Sequence, residues 1–213
     1  MVIKAECGSC QGTGAVLPSS PFGMPLECFR CRGEGQIDWD DIRPGEHVCY
    51  FYNDNHEQLH NVAVFLAAGI KNRERCASIE GVHSAEQVVE AMESYGINAK
   101  KACENGQLVF MSKEDVYLVN GVFDAQRIIK QFKEYALQAV AEGFKGLRVT
   151  ADGGWALNLF SRIEEFLDYE LQVKDFFLAE GQNITALCQY PRYRCSKVVR
   201  QGVRQSHPLV FQD

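Results

Sequence analysis

The sequence predicts an α/β protein: a mainly parallel sheet covered by helices on both faces, with a small metal-stapled ribbon in front of it. Two observations carry this. From about residue 41 strand-like and helix-like periodicities alternate, and before that point four cysteines form two Cys-x-x-Cys pairs at positions 7, 10, 28 and 31. A third observation bounds the answer. The chain has 213 residues, 46% hydrophobic and 23% charged, an ordinary globular composition with room for one domain and an appendage. The expected division is a ribbon over 1–40 and an α/β domain over 41–213.

The ribbon comes first. Nine cysteines is an odd number, and the opening MVIKAECG has no apolar core of a signal peptide, so metal takes precedence over disulfides. Cys7, Cys10, Cys28 and Cys31 are two knuckles separated by 17 residues, a spacing that suits one four-thiolate zinc. Four thiolates close the coordination shell, so the zinc is expected to be structural rather than catalytic. Cys-x-x-Cys-x-Gly-x-Gly occurs twice, as CGSCQGTG (7–14) and CFRCRGEG (28–35). That repeat resembles the cysteine-rich zinc domain of DnaJ-type co-chaperones, which carries four copies. No His-Pro-Asp motif accompanies it, so the co-chaperone role does not carry over. Between the knuckles, AVLPSSPFGMPLE reads as an irregular tip. The other five cysteines lack this spacing. Cys49, Cys76 and Cys188 sit in apolar runs and read as small buried hydrophobes. Cys103 and Cys195 receive no role.

In the larger domain, HVCYFY (47–52) reads as a buried strand. A helix over 54–70 follows, with Asp54 at the N-cap, Glu57 three residues on, and Leu59, Val62, Ala63, Leu66 and Ile70 on one face. Strand 75–80 precedes helix 85–95, which ends at Gly96. Strand 107–112 leads to a helix capped by Asp124, with Ile128, Phe132, Tyr135, Ala136 and Ala139 aligned. Strand 146–150 is followed by helix signal over 155–177, with Phe160, Ile163, Leu167 and Leu171 in register. Strand 184–190 is the last predicted.

Ligands in such folds bind beyond the carboxyl ends of the strands. The first such loop, YNDNHE, contains no Gly-rich phosphate cradle, and Asp54 and Glu57 would repel phosphate. An ATPase or dehydrogenase is therefore excluded. The net charge of -6 provides no general attraction to nucleic acid or an anionic membrane. The longest apolar run, Val62 to Ile70, is nine residues, about half a membrane span. A cytoplasmic protein is expected. The local basic run Arg192, Arg194, Lys197, Arg200 and Arg204 reads first as a solvated face.

A second resemblance covers about residues 44–211. Its matching stretches include PGEHVCYFYNDNHE (44–57), FLAAGIKNRERC (65–76), VYLVNGVFDAQRII (116–129), GFKGLRVTADGGWAL (143–157), DYE (168–170), LCQYPRYR (187–194) and HPLV (207–210). Their order and spacing resemble the MEDS family of sensory domains. The resemblance implies a fold similar to RecA and KaiC ATPases without their phosphate loop. It also implies sensing of a small organic molecule, of the hydrocarbon-derivative class, in proteins that signal through attached DNA-binding, kinase or anti-sigma modules. The match departs at 151–154, where Ala-Asp-Gly-Gly stands in place of a Gly-Glu-Met-Ser-like stretch; a ligand-contacting Asp152 would leave a larger pocket.

The candidate ligand residues are Tyr52, Asp54, Thr150, Asp152, Trp155, Cys188 and Tyr190. Trp155 follows a strand and a double glycine, where it would wall a pocket or simply start a helix. Tyrosines 52, 117, 169 and 190 combine an apolar body with a polar tip. A catalytic Cys188 would need a base, and the sequence does not place His47 or His207 beside it. The reading is a non-catalytic sensor with one structural zinc, a small organic ligand and a protein partner, without nucleic acid or membrane; homo-oligomerisation is open. The alternatives are a zinc-ribbon adaptor with no small ligand, and an enzyme using Cys188.

Overall fold

Six short segments that are apolar on both sides make the sheet. The computed structural model describes residues 5–6, 11–16, 25–28, 31–79, 81–159, 163–180 and 183–211. Cys7, Cys10, Glu80 and Phe160 lie outside them. The sheet strands are β5 (His47–Tyr52), β6 (Arg75–Ile79), β7 (Leu108–Met111), β8 (Leu147–Asp152), β9 (Ile184–Pro191) and β10 (Leu209–Phe211). Their order is β10-β5-β9-β8-β6-β7, and every neighbouring pair is parallel. All six residues of β5 are buried, as a central strand covered on both faces requires.

Alternation along the strands divides the core in two. Val48, Tyr50 and Tyr52 of β5 face α1 (Asn55–Lys71), α2 (Ala85–Ser94) and α3 (Ala99–Glu104). Cys49 and Phe51 face α5 (Ala125–Ala141), α7 (Ile163–Ala179) and α8 (Lys197–Ser206), with the short α4 (Lys113–Val116) and α6 (Ala156–Leu159) beside them. The helices begin where side-chain oxygens take up free amides. Asp54 accepts from Glu57 N at 2.8 Å, Ser84 and Gln87 form a full capping box, and Asp124 accepts from Arg127 N at 3.0 Å.

Three parts differ from the sequence prediction. The helix expected over 155–177 is a 3-10 turn (Gly153–Trp155), then α6 and α7 as separate pieces. The basic run, expected as a solvated face, does expose Arg194, Lys197 and Arg204, but its second half is also an unexpected helix, α8, whose Val199 and Val203 are buried. Beyond it, β10 adds an edge strand to β5. No described helix is long and apolar enough to cross a membrane.

The ribbon has two small ladders. β1 (Ala5–Glu6) pairs antiparallel with β4 (Gln36–Ile37), and β2 (Ala15–Val16) with β3 (Leu26–Glu27). After each knuckle the chain takes the same left-handed steps, at Gln11, Gly12 and Gly14 and again at Arg32, Gly33 and Gly35. The two copies clasp each other. A Cβ on Gly14 would stand 2.1 Å from the Gly33 carbonyl oxygen, and one on Gly35 would stand 2.2 Å from that of Gly12, so only glycine fits there. Trp39 then enters the main core. It stacks on Phe211 at 4.2 Å between ring centroids, and its Nε1 donates to Asn61 Oδ1 at 2.8 Å.

Candidate functional site

Helices leave adjacent strands on opposite faces at two places in this sheet: β5 leads into α1 on one face while its neighbour β9 leads to α8 on the other, and β6 leads into α2 while its neighbour β8 leads to α6 and α7. Such switch points open a crevice at the carboxyl ends. A polar network fills it. Tyr52 OH donates to Asp152 Oδ2 at 3.1 Å, and Gln58 Nε2 lies 3.3 Å from the same oxygen and 2.7 Å from Gln189 Oε1. Gln189 Nε2 donates to Thr150 Oγ1 at 2.7 Å, which in turn donates to the Leu187 carbonyl at 3.1 Å. The Gly154 amide donates to Asp152 Oδ1 at 2.7 Å. Burial raises the Asp152 carboxyl above its ordinary value, against the pull of these donors and the Arg194 charge.

The opposite face of the same strands carries a second polar group. His47 Nε2 lies 3.2 Å from Cys188 Sγ. The His47 and His207 rings are 3.8 Å apart, and His207 Nε2 stands 3.6 Å from Glu170 Oε2. Tyr190 OH donates to Glu170 Oε1 at 2.7 Å, and His207 Nδ1 lies 2.8 Å from the Val203 carbonyl. The four ligand-type atoms of His47, Glu170, Cys188 and His207 all fall within 4.8 Å of one another. Burial disfavours the charged form of each group. It pushes the Glu170 carboxyl up to about 7, His207 down to about 4, His47 well below its usual value, and the Cys188 thiol well above its own.

Cavities surround this group. One of about 40 Å³ lies between the sheet and α5 and α7, with an almost wholly apolar wall that includes Tyr117, Phe132, Tyr169 and Phe176 and touches His47 and Cys188. Its neighbour, of about 30 Å³, shares Tyr117, Tyr169 and Cys188 and adds Trp155, Glu170 and Tyr190. A larger recess of about 310 Å³ approaches His47 and His207 past Lys174, Arg204 and Pro208.

The structure divides the sequence-derived candidates between the two faces. Tyr52, Thr150 and Asp152 join in the α1-side network. Cys188, Tyr190 and the half-buried Trp155, whose ring lies 5.0 Å from that of Tyr117, surround the α7-side cavities. Asp54 is exposed and caps α1, and bonds to neither group. His47 and His207, which the sequence could not place, stand beside Cys188. Gln58, Gln189 and Glu170 were not singled out from the sequence. Their signal is a polar residue inside a segment that must be buried: Gln189 in a central strand, Glu170 and Gln58 on the sheet-facing side of helices.

These features define a class: a parallel α/β domain of the KaiC and RecA type, in which the helix after the first sheet strand starts at a carboxylate cap rather than a phosphate loop. The fold is shared with an uncharacterized protein, PH0321, of Pyrococcus horikoshii, solved in complex with an unknown peptide (TM-score 0.57, 14% identity, 79% of this chain and 77% of that one). The flagellar accessory protein FlaH of Methanocaldococcus jannaschii (TM-score 0.53, 12% identity, 79% and 71%) and the KaiC-like protein PH0186 of P. horikoshii (TM-score 0.50, 15% identity, 76% and 69%) are similar in the same way. Within this class the chain belongs to the MEDS family, the MEthanogen/methylotroph, DcmR Sensory domain, whose model matches residues 46–208. The transcriptional repressor DcmR of Methylorubrum extorquens is 24% identical over 155 residues, which are 73% of this chain and 55% of the repressor. The chain therefore spans about half the length of the curated relative it matches.

Proposed function

We propose that this protein is a non-catalytic sensory module that takes a small organic molecule into the chambers between the sheet and α7. The observation that carries the proposal is the pair of adjoining cavities walled by Tyr117, Tyr169 and Trp155, with Cys188, Glu170 and Tyr190 as polar tips. At about 40 and 30 Å³ they suit a molecule of a few heavy atoms, far below the several hundred Å³ of a drug-sized site. Nearly continuous aromatic and aliphatic walls favour an apolar body such as a short-chain or halogenated hydrocarbon. A raised thiol value for Cys188 argues against the nucleophilic enzyme, which needs a thiolate. The repressor among its relatives supports a regulatory output, here through a protein partner that the ribbon would contact.

The ribbon would bind one structural zinc through Cys7, Cys10, Cys28 and Cys31. Cys28 and Cys31 are buried in a unit too small to have its own core, and the Gly35 amide donates to Cys31 Sγ at 3.2 Å, as amides do to metal-bound thiolates.

The ligand reading is tested by thermal shift and tryptophan fluorescence of the full chain against short-chain alcohols, alkyl halides and methylated amines. A stabilised protein with a changed Trp155 signal, abolished in Tyr117→Trp, which fills the chamber, is the expected result. No shift with any of the series would remove the proposal. For the ribbon, Cys31→Ser should cost one zinc equivalent per chain; unchanged zinc content would refute it.

A further inference from the structure

We infer that His47, Glu170, Cys188 and His207 form a second metal site, which takes a zinc-class divalent ion, distinct from the cysteine ribbon. Two imidazoles, a thiol and a carboxyl are the side chains that bind such ions with four-fold coordination, and few other purposes bring all four together. Their ligand atoms lie within 4.8 Å of one another; His47 Nε2 is 3.2 Å from Cys188 Sγ and His207 Nε2 is 3.6 Å from Glu170 Oε2. Ligands around a tetrahedral ion bonded at 2.0–2.3 Å stand roughly 3.3–3.8 Å apart, so these two pairs already stand near the required spacing, and any pair nearer the 4.8 Å limit would close around the ion.

A second, independent observation points into the same space. His207 Nε2 and Glu170 Oε2 are buried, and neither makes a hydrogen bond. They face each other at 3.6 Å, too far to bond directly and near the span of two ligands on one ion. Such orphaned polar atoms are rare in folded proteins and call for a missing partner. Their other atoms are already held. His207 Nδ1 lies 2.8 Å from the Val203 carbonyl, an acceptor that fixes the proton on Nδ1 and leaves the Nε2 lone pair for a metal. Tyr190 OH binds Glu170 Oε1 at 2.7 Å and leaves Oε2 free. These are the supports that metal ligands usually have behind them. The His47 ring is fixed by stacking on Phe177 at 4.9 Å.

Four different segments bring the ligands in: His47 from β5, Cys188 from the adjacent β9, Glu170 from α7, and His207 from the link between α8 and β10. The recess past Lys174 and Arg204 leads to the two histidines from outside, an entry path for the ion. Because the organic-ligand chambers share Cys188 with this group, an ion there would form part of their wall. The inference itself does not depend on an organic ligand.

The test counts metal by mass spectrometry in full-length protein stripped with chelator, reloaded with zinc and dialysed. Wild type, His207→Gln and Cys188→Ser are compared, each also in a Cys28→Ser/Cys31→Ser background that empties the ribbon. One equivalent is expected to be lost with either cluster variant in both backgrounds. Unchanged content in folded His207→Gln and Cys188→Ser protein would overturn the inference. Should those variants fail to fold, X-ray absorption of zinc-loaded wild type decides. A mixed nitrogen, oxygen and sulfur shell is expected, averaging about 2.5 sulfurs per zinc if the ribbon is filled and one if it is not. A shell of four sulfurs alone would overturn the inference.

Discussion

The two faces of the sheet use the same strands in opposite ways. Towards α1, buried polar groups find each other: Asp152 with Tyr52, Gln58 and Gly154, Gln189 with Thr150, and Arg148 Nε with Glu74 at 2.6 Å. Gln58 Oε1, Thr185 Oγ1 and the outer nitrogens of Arg148 make no hydrogen bond, but the Arg148 guanidinium carbon lies over the Phe65 ring, 4.6 Å from its centroid. Towards α7, His47, Cys188, Glu170 and His207 meet among cavities, and His47 Nδ1, Glu170 Oε2 and His207 Nε2 make no hydrogen bond. The contrast teaches where to look for a ligand. Both faces leave some buried polar atoms unbonded, so the difference lies in space: polar groups packed tightly hold a fold, while polar groups bordered by cavities have room for something from outside.

The comparison can be broken most forcefully at Glu74. Glu74→Ala leaves Arg148 buried without its counter-charge, and a loss of about 3–5 kcal/mol is expected in urea unfolding. A loss below about 1 kcal/mol would show that the α1 face is not held by its ion pair. On the α7 face, Gly153→Ala would put a Cβ 2.4 Å from the ring carbon Cε1 of Tyr190, a wall of the small chamber. Overpacking of this kind costs about 1–3 kcal/mol, and ligand response should fall with it. Full stability with normal response would mean that the wall gives way freely.

The smallest effect concerns Asp152. Burial raises its carboxyl value in the folded protein, so the folded state holds that proton to higher pH than the unfolded chain does. Its contribution is fully present below about pH 4 and is lost as pH rises through the folded value. Asp152→Asn has no such loss. Relative to wild type, the variant should therefore gain stability between about pH 4 and neutrality. Urea midpoints that move the other way would show that Tyr52, Gln58, Gly154 and Arg194 outweigh burial.

Much of the fold was legible because the α/β rhythm is local. HVCYFY, buried at every position, and the capped helices at Asp54, Ser84 and Asp124 announce themselves within a few residues. The order of strands is not local. Nothing in the spacing says that β9 lies beside β5, yet that pairing places Cys188 against Cys49, one alternation from His47. The cluster was hidden for the same reason, its members being spread from 47 to 207. α8 was missed because five cations conceal two buried valines four residues apart, and β10 because three residues give no period to read. The network was half visible: Asp152 and Tyr52 stand at strand ends, whereas Gln58 and Gln189 look like ordinary polar interruptions.

β10 is only three residues long, and both of its ends are spoken for. On one side His207 stands two positions before it, held against Val203 and beside Glu170. On the other, Phe211 lies flat against Trp39, and β1 runs alongside. A rod this short cannot slide along β5 at one end and stay still at the other. Ribbon and buried cluster, far apart in chain order, thus touch opposite ends of one five-residue segment, 207–211.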